Sequence, residues 1–107
     1  MRQTDKSIQE LQMLEQNLQN SLLQKQSFQM ELNESHAALN EIENADDEIY
    51  KIIGQLMIKS DKKKIKEELE NKKKILELRL KSIDKQEISI TEKLEKLREE
   101  IMRAVKK

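Results

Sequence analysis

The chain reads as mainly α: a long antiparallel coiled-coil hairpin with a short β-hairpin between its two helices. Two observations predict the arms and the break between them. Long polar segments carry leucine and isoleucine at helical spacing, and the stretch Glu48 to Lys59, EIYKIIGQLMIK, interrupts them with seven large apolar residues. A third, the opposite net charge of the two halves, predicts that the arms fold back on each other. Of the 107 residues, 36% are hydrophobic and 39% charged, and Phe28 and Tyr50 are the only aromatics, so an ordinary globular core cannot be filled. The absence of proline and the single glycine argue against a loop-rich fold or a disordered linker. At this length the chain forms at most one domain, divided into a helical arm over 4–43, a hairpin over 48–59 and a second arm over 61–106.

In the first arm, Leu11, Leu18, Leu32 and Leu39 form one heptad column, and Leu14, Phe28 and Ile42 the other. Ser21, Lys25 and Ser35 interrupt this seam and weaken it. Ile8, Met13, Leu22, Leu23 and Met30 lie off it. Asn44, Asp46 and Asp47 predict the end of the helix and the start of a turn.

In the central stretch, four of the seven apolar residues Ile49, Tyr50, Ile52, Ile53, Leu56, Met57 and Ile58 are isoleucine, whose branched Cβ favours a strand. Gly54 and Gln55 then form a two-residue loop of type II′, with glycine at its first central position. That register puts Ile49, Lys51, Ile53, Leu56 and Ile58 on one face and Tyr50, Ile52, Met57 and Lys59 on the other. Both faces are apolar. At roughly 1.5 to 3 kcal/mol per fully buried side chain, covering all seven is worth on the order of 10 to 20 kcal/mol, an upper bound. A lone two-stranded hairpin is marginal in water, so hairpins from several subunits are expected to pool into a shared sheet or barrel. A rival reading also fits: positions 49, 52, 53, 56 and 57 have amphipathic-helix spacing, which would make the chain one rod of roughly 160 Å.

The second arm starts at Ser60 or Asp61, either of which can cap it. Lys62, Lys63 and Lys64 oppose the helix dipole in the first turn, so this end is expected to fray or to be anchored by the hairpin. Leu69, Leu76, Ile83, Ile90, Leu97 and Ala104 form one column, with Leu80, Leu94 and Ile101 in the other. Residues 1–54 carry four basic against ten acidic side chains, and residues 55–107 seventeen against eleven, giving −6 and +6. That asymmetry favours an antiparallel pair within one chain over a parallel homodimer, unless it is a chance imbalance of little weight in physiological salt. Folding back brings Ile8, Leu11, Met13 and Leu14 to the same tip as Ile101, Met102, Ala104 and Val105. Ile8, Met13, Met102 and Val105 fall off the seams. They form either an adaptable hydrophobic grip for non-native polypeptides or the ordinary packing of frayed ends.

Together these features resemble the prefoldin beta subunit of archaeal type over nearly the whole chain. The resemblance rests on Tyr50, Lys51, Gly54, Lys59 and Asp61 around the hairpin, on Asn33, Glu34, Ala38, Leu39 and Glu41 before it, and on Leu78 to Lys81 leading to Lys85, Gln86 and Glu87. Gln55 departs from it, standing where many relatives have proline. The resemblance implies a prefoldin-like hexamer of two alpha and four beta subunits, with the hairpins pooled as a platform. It implies an ATP-independent holdase that binds unfolded proteins at coiled-coil tips and passes them to a group II chaperonin. The oligomerisation residues would be Ile49, Tyr50, Ile52, Ile53, Gly54, Leu56, Met57 and Ile58, and the client-binding residues Ile8, Leu11, Met13, Leu14, Ile101, Met102 and Val105.

No enzyme activity, cofactor or metal site is expected. There is no cysteine and no glycine-rich phosphate loop. His36 beside Ser35 has no acidic partner at a suggestive spacing and is expected to face solvent. MRQTDKSIQE contains no apolar signal core and no apolar run reaches spanning length, so a cytoplasmic protein without a membrane partner is expected. The lysines at 62–64 and 72–74 raise a nucleic-acid-binding coiled coil as an alternative, but Glu67, Glu68 and Glu70 dilute their field. The other alternative is a structural coiled-coil scaffold or adaptor.

Overall fold

The computed structural model describes residues 3–46 and 48–106. Element order is α1 (Gln3–Asn44), β1 (Ile49–Ile53), β2 (Leu56–Ser60) and α2 (Lys62–Lys106). The chain divides into two compact units, one of Met1–Ser27 with Leu80–Lys107, the other of Phe28–Arg79.

In the first unit α1 and α2 run antiparallel, since Glu15 meets Arg98 at 3.3 Å while Lys25 meets Asp84 at 2.9 Å. The covered stripe of α1 recurs at intervals of four and three through Ser7, Leu11, Leu14, Leu18, Ser21 and Lys25. Facing it are Leu80, Ile83, Glu87, Ile90, Leu94, Leu97 and Ile101, of which Ile83, Leu94 and Leu97 are buried. The polar interruptions therefore belong to the seam, because heptad position alone turns a side chain towards the partner helix. The column ends sooner than expected. Ala104 is exposed.

In the second unit Leu32, Ser35, Leu39 and Ile42 of α1 share a stripe, and Ile65, Leu69 and Leu76 line the covered side of α2. Leu76 is only 2% exposed. Ser35 tolerates burial because its Oγ donates to the Glu31 carbonyl at 2.9 Å, the back-bond that lets a helical serine satisfy itself. The Arg79 guanidinium lies 5.5 Å from the centre of the Phe28 ring, within cation–π range.

Residues 49–60 form an antiparallel hairpin, which overturns the continuous-rod reading. Ile53 pairs with Leu56, Ile52 with Met57, Lys51 with Ile58, Tyr50 with Lys59 and Ile49 with Ser60. This is the expected register, with β2 one residue longer. Gly54 has φ 59° and no other described residue has positive φ, so the loop has the single left-handed residue of type II′ rather than the two of type I′. Helix propensity lost here because four isoleucines and a central glycine weaken a helix, while alternation suits two strands.

α1 extends one residue past the expected end, to Asn44, whose Nδ2 donates to the Asn40 carbonyl at 3.2 Å. Asp47 lies outside the described residues. Of the two candidate caps for α2, Asp61 serves and Ser60 closes β2: Asp61 Oδ1 accepts from the Lys63 amide at 3.3 Å and its carbonyl from the Ile65 amide at 3.0 Å. The lysine-rich first turn is anchored. Lys62 Nζ donates to the Ala45 carbonyl at 3.0 Å, so a cation that disfavours the start of α2 lies beside the electronegative end of α1, whose last turn has no basic residue of its own.

Candidate functional site

The hairpin presents its apolar residues to solvent. Tyr50, Ile52, Ile53, Leu56, Met57 and Ile58 are all exposed, Ile52 at 69% and Met57 at 67%, while Ile49 is partly covered. One face is tied down: Lys51, on the side of Ile49, Ile53, Leu56 and Ile58, forms an ion pair with Glu68 of α2 at 3.1 Å. Nearby, Lys66 pairs with Glu43 at 3.0 Å. The opposite face of Tyr50, Ile52, Met57 and Lys59 has no such tether among the described residues.

The edges are equally open. A two-residue loop closed by the Ile53–Leu56 pair makes the Lys51–Ile58 and Ile49–Ser60 pairs hydrogen-bonded as well. It follows that the amides and carbonyls of Tyr50 and Ile52 point outward from β1, and those of Met57 and Lys59 from β2. Among the described residues the sheet has two strands, and both rows are open to strand addition. Beside β1, an open cleft of about 660 Å³ is floored by Ala38, Ile42, Ile49, Ile65 and Leu69 and rimmed by Glu41, Lys51, Glu68 and Lys72.

A second apolar set lies in the other unit, at the start of α1 and the end of α2. Ile8 lies seven residues before Glu15 and Val105 seven after Arg98, so the antiparallel pair at 3.3 Å puts Ile8 and Val105 at one level. Ile8, Met13, Met102 and Val105 are exposed, Val105 at 69%. Leu11, Leu14 and Ile101 are partly buried on the seam. The expected tip set is thus four outward-facing side chains backed by three that hold the helices together.

Ser35 is buried with its hydroxyl bonded to Glu31, whereas His36 is exposed, so the two form no dyad. No group of three or more His, Cys, Asp or Glu among the described residues is arranged to hold a metal. No described helix is long and apolar enough to cross a membrane. Sequence reasoning treated Lys25 as a flaw in the seam and missed its partners. Its Nζ lies 2.9 Å from Asp84 and 3.4 Å from Glu87. Glu87 occupies the Leu80, Leu94 and Ile101 column, and an acidic residue there was the available signal.

Two amphipathic helices joined by an oily, open-edged hairpin define a coiled-coil subunit of an oligomer-forming class. A family model described as "Prefoldin subunit" matches residues 5–107. The chain is 43% identical over 94 residues to the prefoldin subunit beta of Thermococcus onnurineus, covering 86% of this chain and 81% of that protein. It is 40% identical over 99 residues to the prefoldin subunit beta of Pyrococcus furiosus, covering 91% and 85% respectively. Among solved structures, the prefoldin beta subunit from Thermococcus strain KS-1 superposes with a TM-score of 0.85 at 38% identity, over 97% of this chain and 93% of that one. The chain belongs to the prefoldin subunit family, a family of chaperones rather than enzymes.

Proposed function

We propose that the chain is a beta-type subunit of a hetero-oligomeric prefoldin and acts, as one domain, as an ATP-independent holdase. In this reading the hairpin residues Ile49, Tyr50, Ile52, Ile53, Gly54, Leu56, Met57 and Ile58 join neighbouring subunits, two alpha and four beta, into a hexamer. The free strand edges and apolar faces support it, since they are too extensive for a chain that works alone. Non-native polypeptides bind where Ile8, Met13, Met102 and Val105 gather at the helix ends, with Leu11, Leu14 and Ile101 as their support. A group II chaperonin receives the client, and the complex works in the cytoplasm.

The observation that carries this reading is the exposed set at those helix ends, left over after the seam is complete. Methionine there adapts to clients of many shapes. The assembled subunit, without nucleotide, is expected to suppress aggregation of a chemically denatured client followed by light scattering. M13S/M102S/V105S is expected to lose most of that effect while keeping its helical circular dichroism. Equal suppression by the variant would remove the client site from these residues, and no suppression by the unaltered complex would leave a passive scaffold.

A further inference from the structure

The seam of the first unit contains one layer that hydrophobic packing does not explain. Lys25 stands in the column of Leu11 and Leu18, and Glu87 in that of Leu80, Leu94 and Ile101. Lys25 Nζ contacts Asp84 Oδ1 at 2.9 Å and Glu87 Oε2 at 3.4 Å. The Glu87 side chain is 20% exposed, and its Oε1 is buried without a hydrogen-bond partner. For stability alone, an apolar pair would serve at least as well, because a partly desolvated ion pair recovers little more than it loses on leaving water. What charge adds at a seam position is discrimination between partners.

We propose that Lys25, with Asp84 and Glu87, selects pairing of α1 with α2 over pairing of α1 with α1 or α2 with α2 between two copies of the chain. A parallel, in-register α1–α1 pair places two Lys25 ammonium groups in one layer, and an α2–α2 pair places two Glu87 carboxylates there. Only the α1–α2 pair brings opposite charges together. The rest of this part of α1 discriminates less, since Leu11, Leu14, Leu18 and the small serines pack as well against a copy of themselves and the Glu15–Arg98 pair is exposed to solvent screening. Copies gathered through their hairpins would meet at high effective concentration, where this selection matters most, although the test below does not depend on that assembly.

The chain has no cysteine, so L18C, one heptad from Lys25, reports parallel α1–α1 contact as a disulfide between copies. On mild oxidation of the full chain, L18C is expected to run as single chains on a non-reducing gel. L18C/K25L/E87L is expected to give roughly tenfold or more cross-linked dimer, because the apolar layer no longer sets like charges against each other. L18C/K25E/D84K/E87K, with all three charges of the layer exchanged, is expected to return to the level of L18C. Equal cross-linking by L18C and L18C/K25L/E87L overturns the proposal, as does strong cross-linking by the exchanged variant. If the apolar variant loses its helical signal, L18C/K25M/E87Q removes both charges with side chains of similar length, and the same comparison decides.

Discussion

Gly54 is the residue on which the hairpin turns. A Cβ there would meet no atom within 4 Å, so space is free, but φ of +59° is a conformation L residues resist. Gly54→Ala is therefore expected to cost about 1 to 3 kcal/mol, with loss of the strand signal in circular dichroism before any loss of helix. The lysines illustrate a different residue-level effect. Hydrogen bonding to Asp84, with Glu87 adding its charge, raises the pKa of Lys25 above its ordinary value, and hydrogen bonding to Glu43 does the same for Lys66. A raised folded-state value means the native chain keeps these protons longer than the unfolded chain. Their stabilisation is then complete below the ordinary value of 10.5 and is lost as pH rises through the raised values. Melting temperature is expected to fall over that alkaline range, and K25M/K66M is expected to flatten the fall. Both side chains are about two-fifths exposed, so solvent screening keeps the effect small.

At the level of elements, each helix is held by its seam and each end by a local device. Leu76→Ala, at the best-covered apolar position, is expected to lower unfolding free energy by about 2 to 5 kcal/mol. Asp61→Ala removes the cap of α2 and is expected to cost about 0.5 to 2 kcal/mol, both read from denaturant titration. The hairpin should behave in the opposite way. Ile52 and Met57 oppose each other on its untethered face, so I52K/M57K is expected to leave helix content unchanged while abolishing assembly, measured as native mass with an alpha-type partner. Strand register was legible in the sequence because alternation and the glycine loop each specify it independently. The cap was not, since Ser60 and Asp61 have the same capping chemistry and only strand pairing assigns Ser60 to β2.

For the whole molecule, the opposite charge of the halves shows in two helix-to-helix pairs, Glu15–Arg98 and Glu43–Lys66, where α1 supplies the acid. Exposed pairs of this kind are worth about 0 to 1 kcal/mol each, so they bias the fold rather than hold it. Lys25 with Asp84 and Glu87 runs against that bias, which is why a charge count could not find it. The tip residues divide in a way that spacing half revealed: Ile8, Met13, Met102 and Val105 were already off the heptads, whereas Ala104 is exposed although it continues the heptad column. By itself the sequence determined the two helical arms, the family, and the register the central segment takes if it is a hairpin, because heptad spacing, alternation and a lone glycine are local patterns that each residue states without knowing its partner. The tertiary structure alone decided that residues 49–60 are strands and not the middle of one continuous helix, which lysine meets which carboxylate, and that serines are seam residues. Those outcomes depend on the offset between segments far apart in sequence, and that offset exists only once the chain has folded back.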